Sequence, residues 1–344
     1  MQVTSLGCPR PCGGANTELG ATILLWRQAG VEITVVPTSP EDPSNPWPQR
    51  LRDAGCKVVR ANLDDLQSVP GLAGGIVVGM CNHHVCEAWP TLQALRCRVI
   101  WSPCMTYTTS HEAHAFKTLP PAAVHFQSNF QAGKLAAAYD RWGVPPNRRH
   151  LIRGAFSLED FPFRPAERNR RFVVGRLARS DTTKWPRDLF AILQAVHDHR
   201  IDLRVRLQAW SPELRQKCGK APPWADCLQE NTLSSPTFLA GCHALLCVNG
   251  GDEENWSRVG LEAMAAGVPV VAENRWGWPE MIRHGETGLL FDTRAECVEH
   301  LTRLATNEPL RLQLASHARA AVEELTCPSQ IAGQWLKLFA ELGG

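Results

Sequence analysis

The 344-residue chain contains no run of roughly 18 uninterrupted apolar residues, so a membrane-spanning helix is not expected. Its opening segment, MQVTSLGCPRPCGG, lacks the apolar core of a signal peptide. A soluble protein kept in the cytoplasm is therefore expected. Excess charge of either sign is also missing. Lys and Arg total 36 against 34 Asp and Glu, and the net charge of +2 excludes a globally polybasic or polyacidic protein. Neither internal repeats nor low-complexity tracts occur. A hydrophobic share of 44% with 20% charged residues is ordinary globular usage, which excludes wholesale disorder. The 13 cysteines are odd in number and scattered from Cys8 to Cys327, unlike the dense pattern of a short secreted disulfide scaffold. Reduced thiols are expected, several of them serving as small apolar core residues. Two groups have metal-ligand character: Cys8 with Cys12, and Cys81-Asn82-His83-His84-Val85-Cys86. Neither shows a C-x2-C pair with a distant second pair, so a zinc site would need the two groups to meet in the fold, and no metal is expected.

What the chain does have is alternation. Its length suggests two domains. Leu19, Ile23 and Trp26 keep helical spacing after Gly13-Gly14, with Asn16 or Thr17 expected to cap the helix and Gly30 to stop it. Strands are expected at Glu32–Val36, Gly75–Gly79, Arg98–Trp101 and Ala122–Phe126, with a helix over Gln131–Tyr139. Prolines at 145, 146, 162 and 165 mark a linker-like stretch at 145–170. From Arg148 to Arg187 there are 11 basic and 4 acidic residues. The alternation then resumes, with strands at Arg171–Val174, Leu203–Leu207, Ala244–Val248 and Val268–Ala272. Helices are expected near Leu189–His197, Arg258–Ala266, Ala295–Leu304 and Pro309–Glu324. Ser329–Leu342 places Ile331, Trp335, Leu338 and Phe339 on one helical face. Short apolar strands separated by helices predict parallel, doubly wound sheets. The expected domains are 1–155, 156–326 and a terminal helix, 327–344, that packs on the first domain or makes a dimer contact.

The most informative segment is NGGDEENWSRVGLEAMAAGVPVVAENRWGWPEMIRHGETGLL, residues 249–290. Asn249-Gly250-Gly251 follows a buried strand and leads into a helix beginning near Ser257. Such a junction offers backbone N–H groups and the positive end of a helix dipole, which suits a phosphate. Glu254 and Glu262 can face one crevice at the carboxyl end of the sheet, where open α/β sheets bind ligands. A carboxylate there can accept hydrogen bonds from two ribose hydroxyls. Ala263, Ala265 and Ala266 let the helix lie close to the sheet, and Gly267 ends it.

Glu254-x7-Glu262 running into LEAMAAGVPVV resembles the C-terminal signature of retaining nucleotide-sugar glycosyltransferases of the GT-B fold, the large GT4-like family (glycosyltransferase group 1). Gly285-Glu286-Thr287-Gly288-Leu289 resembles the same family's strand-turn after the nucleotide loop. The resemblance implies an α/β protein with two Rossmann-like doubly wound domains facing a central cleft, the first on the acceptor side and the second holding the donor. It implies that Glu262 holds the donor ribose and Glu254 the hydroxyls of the transferred sugar. The backbone amides of Ser257, Arg258 and Val259 would meet the diphosphate, beside Gly251. The segment Gly175-Arg176-Leu177 with downstream Lys184 is similar to a second family motif. Arg176 and Lys184, with Arg179 as reserve, would stabilise the charge that develops on the leaving diphosphate. Gly13-Gly14 resembles the family's glycine-rich loop, which places Gly14 near donor phosphate and acceptor.

The sequence departs from the family in two places. Many relatives carry a histidine at the end of a first-domain strand, where this chain has Ser102-Pro103-Cys104-Met105; His83, His84, His111 and His114 are the alternatives. The segment Asn274-Arg275-Trp276-Gly277-Trp278 also puts a tryptophan where many relatives have glycine. The activity implied is transfer of a hexose-type sugar from a nucleoside diphosphate sugar, a UDP-sugar first among donors, to an acceptor hydroxyl. Anomeric configuration is kept, and neither a resident cofactor nor a metal takes part. The acceptor would be a sugar, a lipid-linked or a small molecule, with DNA a further option that the basic stretch 148–187 raises. Three alternatives stand beside it: a DNA glycosyltransferase acting on hydroxymethylated pyrimidines, an epimerase or sugar-phosphate synthase of the same fold, and a non-catalytic nucleotide-sugar binding module.

Overall fold

The structure, a computed structural model, describes residues 1–11, 13–40, 42–167 and 171–343. Cys12, one of the cysteines weighed above, lies outside the described residues. The chain divides into one unit made of Met1–Phe156 with Thr326–Gly344, and a second made of Ser157–Leu325.

The first unit is built on seven strands: β1 (Gln2–Leu6), β2 (Glu32–Val36), β3 (Lys57–Val58), β4 (Ile76–Met80), β5 (Arg98–Ser102), β6 (Ala123–Phe126) and β7 (Arg149–Leu151). They lie in the order β3-β2-β1-β4-β5-β6-β7, and the pairings are parallel. Helices cover both faces, and alternate side chains of each strand serve opposite cores. Ile76 and Val78 join Ile23, Trp26 and Trp335 on one face, while Val77 joins Phe116 and Tyr139 on the other. Full burial of each such aliphatic side chain stabilises by roughly 1.5–3 kcal/mol.

The second unit has β8 (Phe172–Leu177), β9 (Leu203–Gln208), β10 (Ala225–Leu228), β11 (Ala244–Cys247), β12 (Val270–Glu273) and β13 (Leu289–Phe291). Their order is β10-β9-β8-β11-β12-β13, again parallel. In both sheets the chain runs outward in one direction, then returns to continue on the other side of its first strand. This creates a switch point between β1 and β4, and another between β8 and β11. Loops leaving the carboxyl ends of those strands are splayed apart there, which is where such sheets bind ligands.

Two parallel, doubly wound α/β units match the fold expected from the sequence. Other local expectations are corrected. The first helix, Gly14–Gln28, begins at Gly14 with Gly13 as its N-cap and no side-chain cap. Thr17 instead donates its hydroxyl to the Gly13 carbonyl (3.2 Å), and Asn16 accepts the Arg10 N–H (3.2 Å). The stretch 145–170 is not linker throughout, because β7 completes the first sheet by pairing with β6. β1 escaped the sequence reading because Thr4 and Ser5 interrupt its apolar pattern, yet both are buried in the sheet. β3, β7, β10 and β13 span two to four residues each, too short for a period to register. The last helix, Pro328–Glu341, belongs to the first unit, where Trp335 packs edge-on against Trp26 with ring centres 4.9 Å apart.

Candidate functional site

At the β8/β11 switch point, two loops are joined by their backbones. Gly250 N–H and Asp252 N–H both donate to the Thr183 carbonyl, at 2.9 and 3.2 Å. Gly250 has to be glycine for steric reasons, since a Cβ there would lie 2.1 Å from the Trp185 carbonyl oxygen. Beneath the join lies Arg176, only 3% exposed. Its guanidinium donates to the Leu246 carbonyl (3.3 Å), to Asn249 Oδ1 (3.3 Å) and to the Lys184 carbonyl. It also stacks over the Trp185 ring, 5.3 Å from its centre. Burial pulls the Arg176 pKa below the usual range, against the charges of Cys247, Glu254 and Glu273. The terminal nitrogens of Arg176 are thus spent on acceptors within the protein, and this arginine holds the loops together from below.

Lys184 is largely buried, its side chain 16% exposed. Its Nζ lies 2.7 Å from Asp252 Oδ2 and 3.3 Å from Glu254 Oε2. Burial works against its charge, but Glu254 and Asp252 outweigh it and hold the ammonium pKa above its usual range. Asp252 is a partner the sequence reading did not name. The other unnamed carboxylate is Glu273 at the end of β12, which accepts the Asn249 N–H at 2.9 Å and pairs with Arg275 and Arg294. Its only signal in the sequence was its place just past a buried strand. Arg179 is exposed, and its carbonyl accepts the Trp185 indole N–H at 2.7 Å.

The helix Arg258–Ala266 starts from Ser257, whose Oγ accepts the Gly260 N–H at 3.2 Å. The Ser257 N–H is directed elsewhere, to the sulfur of Met281 at 3.3 Å. This amends the expectation that all three amides of 257–259 face a phosphate. Glu262, one turn further along, is only 7% exposed. Burial raises its pKa to about 7, against the opposing influence of Arg258 and a hydrogen bond from Ser235. Its Oε2 has no hydrogen-bond partner among the described residues. A buried carboxylate oxygen without a donor costs free energy, unless a ligand hydroxyl supplies one.

Arg176, Arg179, Lys184, Gly251, Glu254, Ser257, Arg258, Val259 and Glu262 all belong to the second unit, on β8, the segments that follow β8 and β11, and the helix Arg258–Ala266. Gly14 belongs to the first unit, as the first residue of the helix that follows β1. That unit holds a cavity of about 520 Å³ beside the ends of β1, β2 and β3, lined among others by Cys8, Arg10, Arg52 and Arg60. Of the alternative histidines, His83, His84 and His111 gather around Glu87, and His114 does not join them. His125, buried on β6, hydrogen-bonds Ser102 and the Ile152 carbonyl, and burial lowers its pKa to about 4. The described cysteines are free thiols. No helix among the described residues is long and apolar enough to cross a membrane.

Residues 234–321 match the family described as Glycosyl transferases group 1. Among curated proteins, the chain is 30% identical over 93 residues to the N-acetyl-alpha-D-glucosaminyl L-malate synthase of Bacillus anthracis, covering 26% of this chain and 24% of that one. It is 47% identical over 60 residues to a GDP-mannose-dependent phosphatidylinositol monomannoside mannosyltransferase of Mycobacterium tuberculosis, covering 17% and 16%. The matched region thus spans about a quarter or less of these relatives. Whole-chain likeness is found among solved structures. HepE of Anabaena in complex with UDP-glucose superposes with a TM-score of 0.76 at 16% identity, over 99% of this chain and 100% of that one. TarM of S. aureus, solved with alpha-GlcNAc-glycerol and UDP, superposes with a TM-score of 0.80 at 10% identity, over 98% and 99%. The fold is that of the GT-B glycosyltransferases.

Proposed function

We propose that this protein is a retaining glycosyltransferase. It moves a hexose-type sugar from a nucleoside diphosphate sugar, with a UDP-sugar as first choice, to an acceptor hydroxyl. The observation that carries the reading is the unpartnered, buried oxygen of Glu262, which lies with Glu254 in the segment that matches glycosyltransferase group 1; the Lys184–Glu254 pair of the same unit supports it.

Glu262 accepts the ribose hydroxyls, which satisfies its open oxygen and favours its charged form. The diphosphate lies against the start of helix Arg258–Ala266, where the Arg258 and Val259 amides and the helix dipole favour negative charge. Lys184 turns from Asp252 toward the leaving phosphate, with Arg179 and the Gly251 backbone alongside. Arg176 adds positive potential from below and keeps both loops in place. Glu254 holds hydroxyls of the transferred sugar and, through Lys184, couples sugar position to phosphate charge. Pre-placed charge of this kind stabilises the oxocarbenium–diphosphate pair without a metal. The first unit is assigned the acceptor, with Gly14 opening the helix Gly14–Gln28 that follows β1.

The test is thermal stability against UDP, GDP, ADP and CDP, for the wild type and Glu262→Ala. A nucleotide at about a hundred times its dissociation constant adds roughly 2.7 kcal/mol. One nucleotide is expected to stabilise the wild type and not the variant, and the anomeric configuration of the product then reports retention. No shift from any nucleotide would overturn the donor site.

A further inference from the structure

The short helix His83–Glu87 follows directly from β4 and is set in place by Asn82. The Asn82 carboxamide oxygen accepts the His84 N–H at 3.2 Å, and its Nδ2 donates to the Leu6 carbonyl (3.1 Å) and to Thr38 Oγ1 (2.9 Å). The helix lies tight against the strand, because a Cβ on Gly79 would meet the Val85 side chain at 2.7 Å. It packs beside the helix Ser110–Thr118, which follows β5. This brings three imidazoles around one carboxylate. His84 Nδ1 is 2.7 Å from Glu87 Oε2, while His83 Nε2 and His111 Nε2 are 3.8 and 3.9 Å from Glu87 Oε1. The His83 ring centre lies 4.1 Å from that of His84 and 5.2 Å from that of His111.

We propose that His83, His84, Glu87 and His111 bind a divalent transition-metal ion of the zinc type. The donor atoms of His83, His84 and Glu87 all lie within 4.8 Å of one another. Ligand atoms on a tetrahedral zinc with bonds near 2.1 Å stand about 3.4 Å apart, so small side-chain rotations close the set around an ion. His111 reaches the same carboxylate from the neighbouring helix and completes four ligands, the number of a closed structural site. Three nitrogens and one carboxylate suit zinc, nickel, cobalt or copper, and do not suit magnesium or calcium, which take oxygen ligands. Nearby sulfur does not belong to the set. Cys86 is buried in the apolar core, and Cys81 hydrogen-bonds Cys104. The ion ties the segment after β4 to the segment after β5, and so fixes two loops on the ligand-binding edge of the first sheet. This site is independent of the proposed donor site, whose phosphate-facing residues other than Gly14 lie in the second unit.

The experiment uses untagged full-length protein, stripped with a chelator and titrated with zinc by calorimetry, with metal content measured after gel filtration. One equivalent of zinc is expected to remain bound in the presence of excess magnesium and calcium. The isosteric Glu87→Gln and the exposed-site His111→Ala variants should each weaken binding by about tenfold or more. The Cys81→Ser and Cys104→Ser variants should bind as the wild type does. Cobalt in place of zinc should show ligand-field bands without a thiolate charge-transfer band. Circular dichroism identifies which variants are folded, and only folded variants enter the comparison. Absence of retained zinc overturns the proposal. So does zinc binding that survives Glu87→Gln and His111→Ala, or that is lost with the cysteine variants.

Discussion

Among the described residues each unit buries two glutamates, Glu18 and Glu112 in the first and Glu262 and Glu273 in the second, and Glu112 and Glu262 are treated differently. Glu112 in the first unit is 2% exposed and satisfied from four directions. Its oxygens accept from the Trp101 indole N–H (2.9 Å), the Tyr139 hydroxyl (3.2 Å), the Thr109 N–H (2.6 Å) and the Thr109 hydroxyl (3.0 Å). Glu262 in the second unit is about as deeply buried, yet one of its oxygens has no partner among the described residues. The first carboxylate is a joint that closes a capping box. The second is a polar group held ready at a cost, which a fold retains where a ligand completes it. Similar burial thus leaves the two carboxylates with different numbers of donors, and under the proposed function the open oxygen of Glu262 is the one a ligand hydroxyl completes.

The largest expected effect is at Glu254. Glu254→Gln should lower transfer from a UDP-sugar about 100-fold or more, the scale for removing an electrostatic contact to the reacting group. Nucleotide-induced stabilisation should persist, because the ribose and diphosphate contacts remain. Steady-state kinetics beside thermal shifts would show the split. An equal loss of both would place Glu254 in donor binding rather than in transfer.

Next is the pH dependence that separates the two glutamates. The folded-state pKa of Glu262 is raised from the ordinary 4.5 to about 7. Its contribution to stability is therefore full below pH 4.5 and is lost as pH rises toward 7, by up to about 3 kcal/mol. Because His125, with its pKa lowered to about 4, adds stability as pH rises over the same range, the decline is read as the difference between wild type and Glu262→Gln in urea unfolding of the ligand-free proteins at pH 5 and 7.5. Glu262→Gln should remove it, and Glu112→Gln should not. Gly250→Ala should cost the second unit about 1–3 kcal/mol through its clash with the Trp185 carbonyl, with hydrogen exchange in the first sheet unchanged. The smallest effects come from two helix caps. Ser257→Ala and Thr109→Ala should each cost about 1 kcal/mol. Only Ser257→Ala should weaken nucleotide binding, as read by titration.

The same contrast explains what the sequence made visible. The segment 249–290 could be read because glycines, two glutamates and an alanine-rich helix follow one another within a single β-loop-α unit, so chemistry and local structure share one stretch of chain. Lys184 and Arg176 were reachable for the same reason, since both sit just after or within β8. Asp252 and Glu273 were not singled out, because their importance comes from pairing with Lys184 and with the Asn249 N–H, contacts made across the fold. The Glu87 histidine cluster had the same difficulty, since His111 comes from another helix and Glu87 lay outside the CNHHVC run. Gly13 took the cap expected of Asn16 or Thr17 because a backbone with φ of 96° turns into the helix without needing a side-chain oxygen. β1 was hidden because its Thr4 and Ser5 are polar residues in a core position.

The last helix has a consequence for the way this chain can be cut. Residues 157–325 form one continuous insertion, while the first unit is closed by a segment encoded after it. Trp335 and Phe339 fill the space against Trp26, with ring centres 4.9 and 5.3 Å away, and Trp335 also lies 4.6 Å from the His125 ring. A fragment ending at residue 156 would expose the indole of Trp26 and one face of its sheet, even though it carries every strand. The insertion can be excised at its two ends as a candidate autonomous piece. The first unit requires its two halves to be spliced by a short artificial linker or supplied together as complementing fragments. During synthesis, its core cannot be completed until the entire second unit has left the ribosome.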